Sequence, residues 1–396
     1  MKNEDKELIN YKDTRAIQDM RANLRRYNEF IGDQSIEVKL PLDVEVNARF
    51  LNKLSRNILK GVVDITELEF INSPGMDDKS SLIGMNDEEF LLYLLAAPRG
   101  NNTNQMSMTD GVILTSLHRN STDYKTNETD IDVIDIHNTD IMNKFNLEFI
   151  IITYTMTKMI RLCNSEKERK SKWLQKRYIA DSGINRLCFR LRYSYLHRVF
   201  SNESFKFGGR FYGAFHLELP KKVRPFIFLN GEPTVELDFS ALHIRMLYHL
   251  IGEKYTTDPY QDVCETEEER GIYKSVLLVA INAETQEKAV QGIRDELRKK
   301  NFGIGVTDAE ILYRLNRFKE VHPHIARYLN TGIGLRLQNL DSRITDIVLK
   351  EMTQSGIPCL PVHDSYIVPQ SHRDLLFQEM TNAYRAVMKG FSPVIC

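Results

Sequence analysis

Two short β-type runs each carry an aspartate at one end, and this feature constrains the fold more than any other. Asp238 closes the run 234–238 in TVELDFSALHIRML, and Asp364 lies in the turn between the runs 358–362 and 366–368 in CLPVHDSYIVP. An acid at the end of an apolar strand is rigidly held and still reaches solvent. Taken singly, Asp238 reads as a helix cap and Asp364 as a turn residue. On adjacent strands the pair would supply the hard oxygen ligands that Mg²⁺ prefers. Such ions take their remaining ligands from water and substrate phosphate.

The runs sit within a largely helical chain. Helices are expected over 13–29, over 43–60 with Asp43 as N-cap, and as two or three segments over 146–200 broken near Cys163 and Asp181. Residues 98–130 read as loop. A β run over 225–229 and the turn Asn230-Gly231-Glu232-Pro233 precede the Asp238 run, and a helix over 241–251 follows it, ended by Gly252. Helical patterns continue over 265–300 with a break near Asn282, then over 335–355 and 372–389. The fold class expected is α+β. Within ERGIYKSVLLVAIN, Arg270 and Lys274 are spaced i, i+4 and share one helix face. Two cations at the lip of an otherwise apolar helix can clamp a triphosphate, or can form an ordinary ladder with Glu267, Glu268 and Glu269.

Composition narrows the class. The 396 residues include 53 Lys+Arg and 54 Asp+Glu, a net charge of -1, with 42% hydrophobic residues. These values suit a soluble globular protein rather than a disordered or fibrous one. The longest strongly apolar uncharged run, 149–157, is nine residues, too short to span a bilayer. The charged start MKNEDKELIN is unlike a signal peptide, and five scattered cysteines read as reduced thiols, so a cytoplasmic location is expected. Charge is uneven along the chain. Residues 61–150 carry 5 basic and 16 acidic side chains, whereas residues 161–224 carry 16 and 5. The basic stretch, with Lys170, Lys172, Lys176 and Arg177 among aromatic residues, can track a phosphate backbone or compensate the acidic stretch internally.

In order, the chain presents Gly209-Arg210, then DFSALHIR, then Arg270 with Lys274, then His363-Asp364-Ser365. This order resembles the family A nucleic-acid polymerases, which include DNA polymerase I and the single-subunit phage and mitochondrial RNA polymerases. The resemblance covers about residues 205–385. It implies a right-hand polymerase: a palm with a small antiparallel sheet (206–265 and 331–396), compact helical fingers (266–330), a helical basic thumb (146–205) and an N-terminal accessory region (1–145). It also implies template-directed nucleotidyl transfer with two Mg²⁺ ions, Mn²⁺ being a possible substitute. Asp238, Asp364 and the Phe239 carbonyl would hold the metals. Arg270 and Lys274 would meet the triphosphate, with His243, Leu278 and Asn282 lining the nucleotide pocket. Arg210, Arg224, Arg245, Gln338 and His363 would contact the nucleic acid, together with the basic stretch.

The sequence also departs from the family pattern. Where DNA polymerases place a glutamate five residues after the first aspartate, this chain has His243, and the tyrosine of the fingers helix is replaced by Asn282. The sugar pocket is therefore rebuilt. No exonuclease-like acidic set occurs in residues 1–200. The expectation is a DNA polymerase without proofreading, of the compact type found in phages and mobile elements, with self-priming and a small accessory replication protein as open features. The alternatives are an RNA polymerase or primase, favoured by the HDS triplet, and a catalytically silent nucleic-acid-binding replisome protein.

Overall fold

The computed structural model describes residues 15–41, 48–59, 61–70, 184–192, 194–202, 204–264, 266–300 and 307–396. Lys170, Lys172, Lys176, Arg177 and Asp43 lie outside the described residues. The fold is α+β with antiparallel sheet, and the chain divides into two units. One comprises Met1–Ile31, Tyr195–Gly213 and Val235–Cys396, the other Gly32–Ser194 and Ala214–Thr234.

In the second unit, helix α2 (Ala48–Leu59) accompanies strands β1 (Ile36–Pro41), β2 (Val63–Phe70), β3 (Ile184–Leu191) and β6 (Ile227–Leu229), in the order β2-β3-β1-β6. All three pairings are antiparallel, and Val38 sits opposite both Phe189 and Ile227. Strand β3 corrects an expectation, since the helical reading of 146–205 fails over 184–191. Its Arg186, Arg190 and Arg192 are exposed, while Leu187, Phe189 and Leu191 are buried. That is the period of two of a half-buried strand; the density of basic residues had masked it. Within this unit a two-residue turn reverses the chain after β6. Asn230 and Gly231 both have positive φ, 52° and 83°, as the type I′ hairpin between Leu229 and Glu232 requires.

The first unit holds helix α1 (Arg15–Gly32), the hairpin β4 (His197–Ser201) and β5 (Ser204–Tyr212), and strands β7 (Glu232–Asp238), β8 (Leu360–Val362) and β9 (Ser365–Pro369). Strand β4 again replaces expected helix, while β5 falls almost wholly within the stretch expected to begin the palm. The β7-β9-β8 order puts the acid-bearing strand beside the HDS hairpin. Its helices are α3 (Leu242–Leu250), α4 (Glu267–Asn282), α5 (Gln286–Lys299), α6 (Asp308–Val321), α7 (Gly334–Gln354) and α8 (Arg373–Val387). Threonines 266, 285 and 307 cap α4, α5 and α6, each accepting from the backbone N–H three residues on. Helices α4 to α6 bury Val276, Leu277, Ile281, Ile293, Leu297, Ile311, Leu315 and Phe318 as one apolar cluster type. Helices α7 and α8 bury Leu337, Ile344, Val348, Leu376, Met380 and Tyr384. Helix α1 belongs to this unit rather than to a separate accessory region: the buried Tyr27 hydroxyl donates to the Cys359 carbonyl at 3.0 Å.

Candidate active site

The backbone segments that carry the two aspartates come together where the strand ends pair. The Phe239 N–H donates to the Asp364 carbonyl at 3.3 Å, and the Ser365 hydroxyl donates to the Glu236 carboxylate at 2.6 Å. On the backbone of the first acid, Asp238 and Cys396 exchange two N–H···O bonds of 2.9 Å, and the Ser240 N–H donates to Val394 at 2.9 Å. Residues 394–396 thus act as a further strand along motif 238–240. The buried Phe239 ring anchors the segment between Tyr366 and Tyr384, with centroids 6.2 and 5.7 Å away. Asp238 does not cap the following helix. That place is held by Ala241, which has φ 48° and makes no side-chain cap bond. His363, directly before Asp364, also has positive φ, 60°. Non-glycine residues in this region cost about 1–3 kcal/mol each and gather where the chain must present particular groups.

A third carboxylate joins the pair, and the sequence reading did not single it out. Asp341 on α7 is 1% exposed, and its Oδ2 accepts from Arg210 Nε at 3.0 Å and from an Arg210 Nη at 2.9 Å. Burial pushes its carboxyl up to about 7, the Asp364 and Asp238 charges push the same way, and Arg210 opposes them. Its Oδ1 is buried and has no hydrogen-bond partner. Negative charge is therefore concentrated around Asp238 and Asp364, an environment that suits a divalent cation with oxygen ligands. Among the described residues, no group of three or more His, Cys, Asp or Glu side chains is drawn together as a ready metal cage. A site completed by backbone, water and substrate phosphate is the arrangement that Mg²⁺ accepts.

Arg210 is held by a built frame. Its neighbour Gly209 has φ 91°, and a Cβ there would lie 2.6 Å from the Phe200 ring and 2.9 Å from Ser342 Oγ. Only glycine permits that approach of β5 to α7. Buried Arg198 completes the frame, donating to the Gly209 carbonyl at 2.8 Å and to Ser342 Oγ at 2.9 Å. An Arg210 Nη also lies 3.5 Å from His243 Nε2. Because guanidinium can only donate, Nε2 is the acceptor and the ring proton sits on Nδ1. Burial, with Arg210 adding to it, pushes the imidazole down to about 3, so it is neutral at pH 7.

On α4, Lys274, Leu278 and Asn282 are all exposed and spaced four apart, so they lie along one face. Leu278 is 51% exposed, unusual for leucine in an otherwise buried helix. Asn282 accepts from Gln338 Nε2 at 3.3 Å, which places Gln338 with the α4 face. Arg270 differs from Lys274. Its Nε and one Nη donate to Asp258 Oδ2 at 3.0 and 2.7 Å, and its other Nη reaches Glu267 at 3.2 Å. Burial pushes the Asp258 carboxyl up, but the bonds from Arg270 and the Tyr260 N–H outweigh it and hold the group below the usual range.

Arg245 is corrected as a nucleic-acid contact. It is 3% exposed, donating to the Ser240 and Tyr255 carbonyls at 3.0 and 2.7 Å, so it braces the loop after Asp238. Arg224 lies in the second unit, at the short turn Arg224–Phe226 before β6. His363 is exposed at the tip of the β8–β9 hairpin.

No protein-family model and no curated protein matches this sequence. Among solved structures, the chain is similar to the POL domain of Pol1 from M. smegmatis in complex with DNA primer-template and dNTP. The TM-score is 0.40 and the identity 12%, over 95% of this chain and 69% of that one.

Proposed function

We propose that the chain is a template-directed nucleotidyltransferase, a DNA polymerase without proofreading, organised as palm, fingers and thumb. The observation that carries this reading is the backbone bond between Phe239 and Asp364, which brings the strand ends bearing the two acids together; the Arg210–Asp341 pair supports it, since both Asp238 and Asp364 raise the Asp341 carboxyl. Asp238, Asp364 and the Phe239 carbonyl would hold two divalent cations. Bound there, the ions would supply charge neutralisation at the triphosphate and a lowered pKa for the attacking hydroxyl. The primer 3′ hydroxyl attacks the α-phosphorus of the incoming nucleotide, a P–O bond forms, and pyrophosphate leaves.

The chain's own side chains position the reactants. Lys274 is the exposed α4 cation and meets the β- and γ-phosphates. Arg270 joins only by giving up Asp258. Leu278 and Asn282 extend the same face toward base and sugar, with Gln338 behind Asn282. Arg210, fixed by Asp341 and His243, faces the primer or template strand, and His363 contributes a further contact. Positioning and electrostatics account for most of the acceleration in phosphoryl transfer. The test is primer extension with Mg²⁺ and separate dNTP and rNTP pools. Templated extension supports the reading, and its absence from a folded, primer-bound protein refutes it.

One observation favours the second reading, RNA synthesis or priming. His243 Nε2 is turned to Arg210 and neutral, so the position of the sugar-excluding glutamate holds no free carboxylate. His243→Gly should raise the efficiency with rNTPs relative to dNTPs if the ring excludes a 2′ hydroxyl. An unchanged ratio removes the steric support for DNA over RNA.

A further inference from the structure

Away from the aspartates, the first unit carries a cavity lined by Arg21, Leu24, Arg25, Asn28, Glu29 and Tyr195. It is a built feature rather than a chance gap. Asn28 clamps the strand start by both of its amide atoms: Nδ2 donates to the Leu196 carbonyl at 2.9 Å and Oδ1 accepts from the Leu196 N–H at 2.8 Å. That clamp sets Tyr195 against α1 while its ring stays 51% exposed. Arg21 and Arg25 are exposed one turn apart on α1, so their Cβ atoms lie about 6 Å apart. Arg15 and Arg26 are exposed on the same helix, and the opposing charges are Asp19 and Glu29.

From the cavity, the exposed face runs along β4. Tyr195, His197 and Val199 alternate outward, whereas Leu196 and Arg198 turn inward. On β5, Tyr212 pairs with His197 and Arg210 pairs with Val199. Cross-strand partners share a face. Exposed Tyr195, Val199 and Tyr212 therefore lead along one surface toward Arg210, the residue fixed beside Asp341. Four residues of strand cover about 13 Å, the rise of roughly four stacked nucleotides.

We propose that this face is a second binding site, a track for about four nucleotides of single-stranded nucleic acid. Its phosphates lie on Arg21 and Arg25, and a base stacks on Tyr195. Aromatic rings interleaved with cations are the means by which proteins hold single strands without reading sequence. The polymerase reading enters only at Arg210, where the track meets the proposed catalytic centre.

The experiment is fluorescence anisotropy of labelled dT10 on the full chain, over a salt series, beside primer extension. R21E/R25E should lower the salt slope by about 1.4, since each single-strand phosphate contributes about 0.7. Y195A should weaken binding about ten-fold and Y195F should not, as loss of a stacked base implies. These side chains are exposed, and an unchanged melting curve will show that each variant is folded. If R21E/R25E and Y195A keep full affinity and slope while the unaltered chain extends primers, the track is wrong and the polymerase reading stands. If the variants lose dT10 binding as expected but no extension occurs in any condition, the track stands and the polymerase reading falls. If polyglutamate displaces dT10 and both variants lose the two ligands equally, the surface takes an acidic protein and the proposal is overturned.

Discussion

The Phe239 N–H and the Asp364 carbonyl, 3.3 Å apart, join two strand ends separated by more than a hundred residues of chain. The bond is between backbones, so it sets the spacing of the two acids without engaging either carboxylate. It is supported at depth by the Phe239 ring against Tyr366 and Tyr384, and at the rim by Ser365 on Glu236. The residues around this pairing can be tested one at a time.

Arg270 and Lys274 should separate. Lys274→Ala removes an exposed charge that the proposed function assigns to the triphosphate, so it should slow incorporation about ten- to a hundred-fold while leaving primer-template binding unchanged. A hydrogen bond to a charged group is worth about 1.5–3 kcal/mol. Arg270→Ala breaks a partly exposed pair with Asp258, worth up to about 1 kcal/mol of stability, and should reduce incorporation less. Single-nucleotide kinetics with melting curves will decide. Equal catalytic losses would show that Arg270 abandons Asp258 for the triphosphate.

Asp341 and His243 should give opposite pH slopes. The Asp341 carboxyl is raised from 3.8 to about 7, so over that window the folded state holds the extra proton and stability falls as pH rises. His243 is lowered from 6.5 to about 3, so over that window the unfolded chain holds the extra proton and stability rises with pH. Between about pH 4 and 6.5 the two oppose each other. Relative to the unaltered chain in EDTA, D341N should gain stability more steeply from pH 4 to 6.5, and H243Q should lose it more steeply from pH 4 to 7. Parallel profiles for all three proteins would show that neither group is perturbed as described.

Gly209→Ala tests the frame around Arg210. The new Cβ meets Phe200 and Ser342, and the backbone at φ 91° disfavours any side chain. A loss of about 1–3 kcal/mol is expected, with weakened primer-template binding because Arg210 moves with its neighbour. An unchanged melting temperature and affinity would mean that β5 shifts freely on α7.

The elements nearest the acids were legible because local rules agree there. Asn230-Gly231 announced a tight hairpin, Gly252 ended a helix, and the apolar spacing of Leu337, Ile344 and Val348 predicted α7. Strand β3 departs from the expected helix: Arg186, Arg190 and Arg192 alternate with Leu187, Phe189 and Leu191 at the period of a strand, although buried Cys188 interrupts the polar side. Asp341 escaped notice since nothing in NLDSRIT marks an acid destined for burial. Only the long-range partner Arg210, on β5, makes it tolerable there. Arg245 enters the nucleic-acid set only through the resemblance, and its two backbone acceptors belong to a loop whose path no local pattern gives. The pairing of 394–396 with 238–240 is likewise a tertiary fact.

The central claim is that Asp238 and Asp364 act as one unit in nucleotidyl transfer. Single-turnover extension of a primer-template with Mg²⁺, by D238N, D364N and the double variant, tests it most directly. Each single change should cost about 3–5 kcal/mol, or two to four decades in rate, and the double change little more than the worse single, since groups acting as a unit are non-additive. A folded single variant that extends primers at close to the unaltered rate would contradict the account.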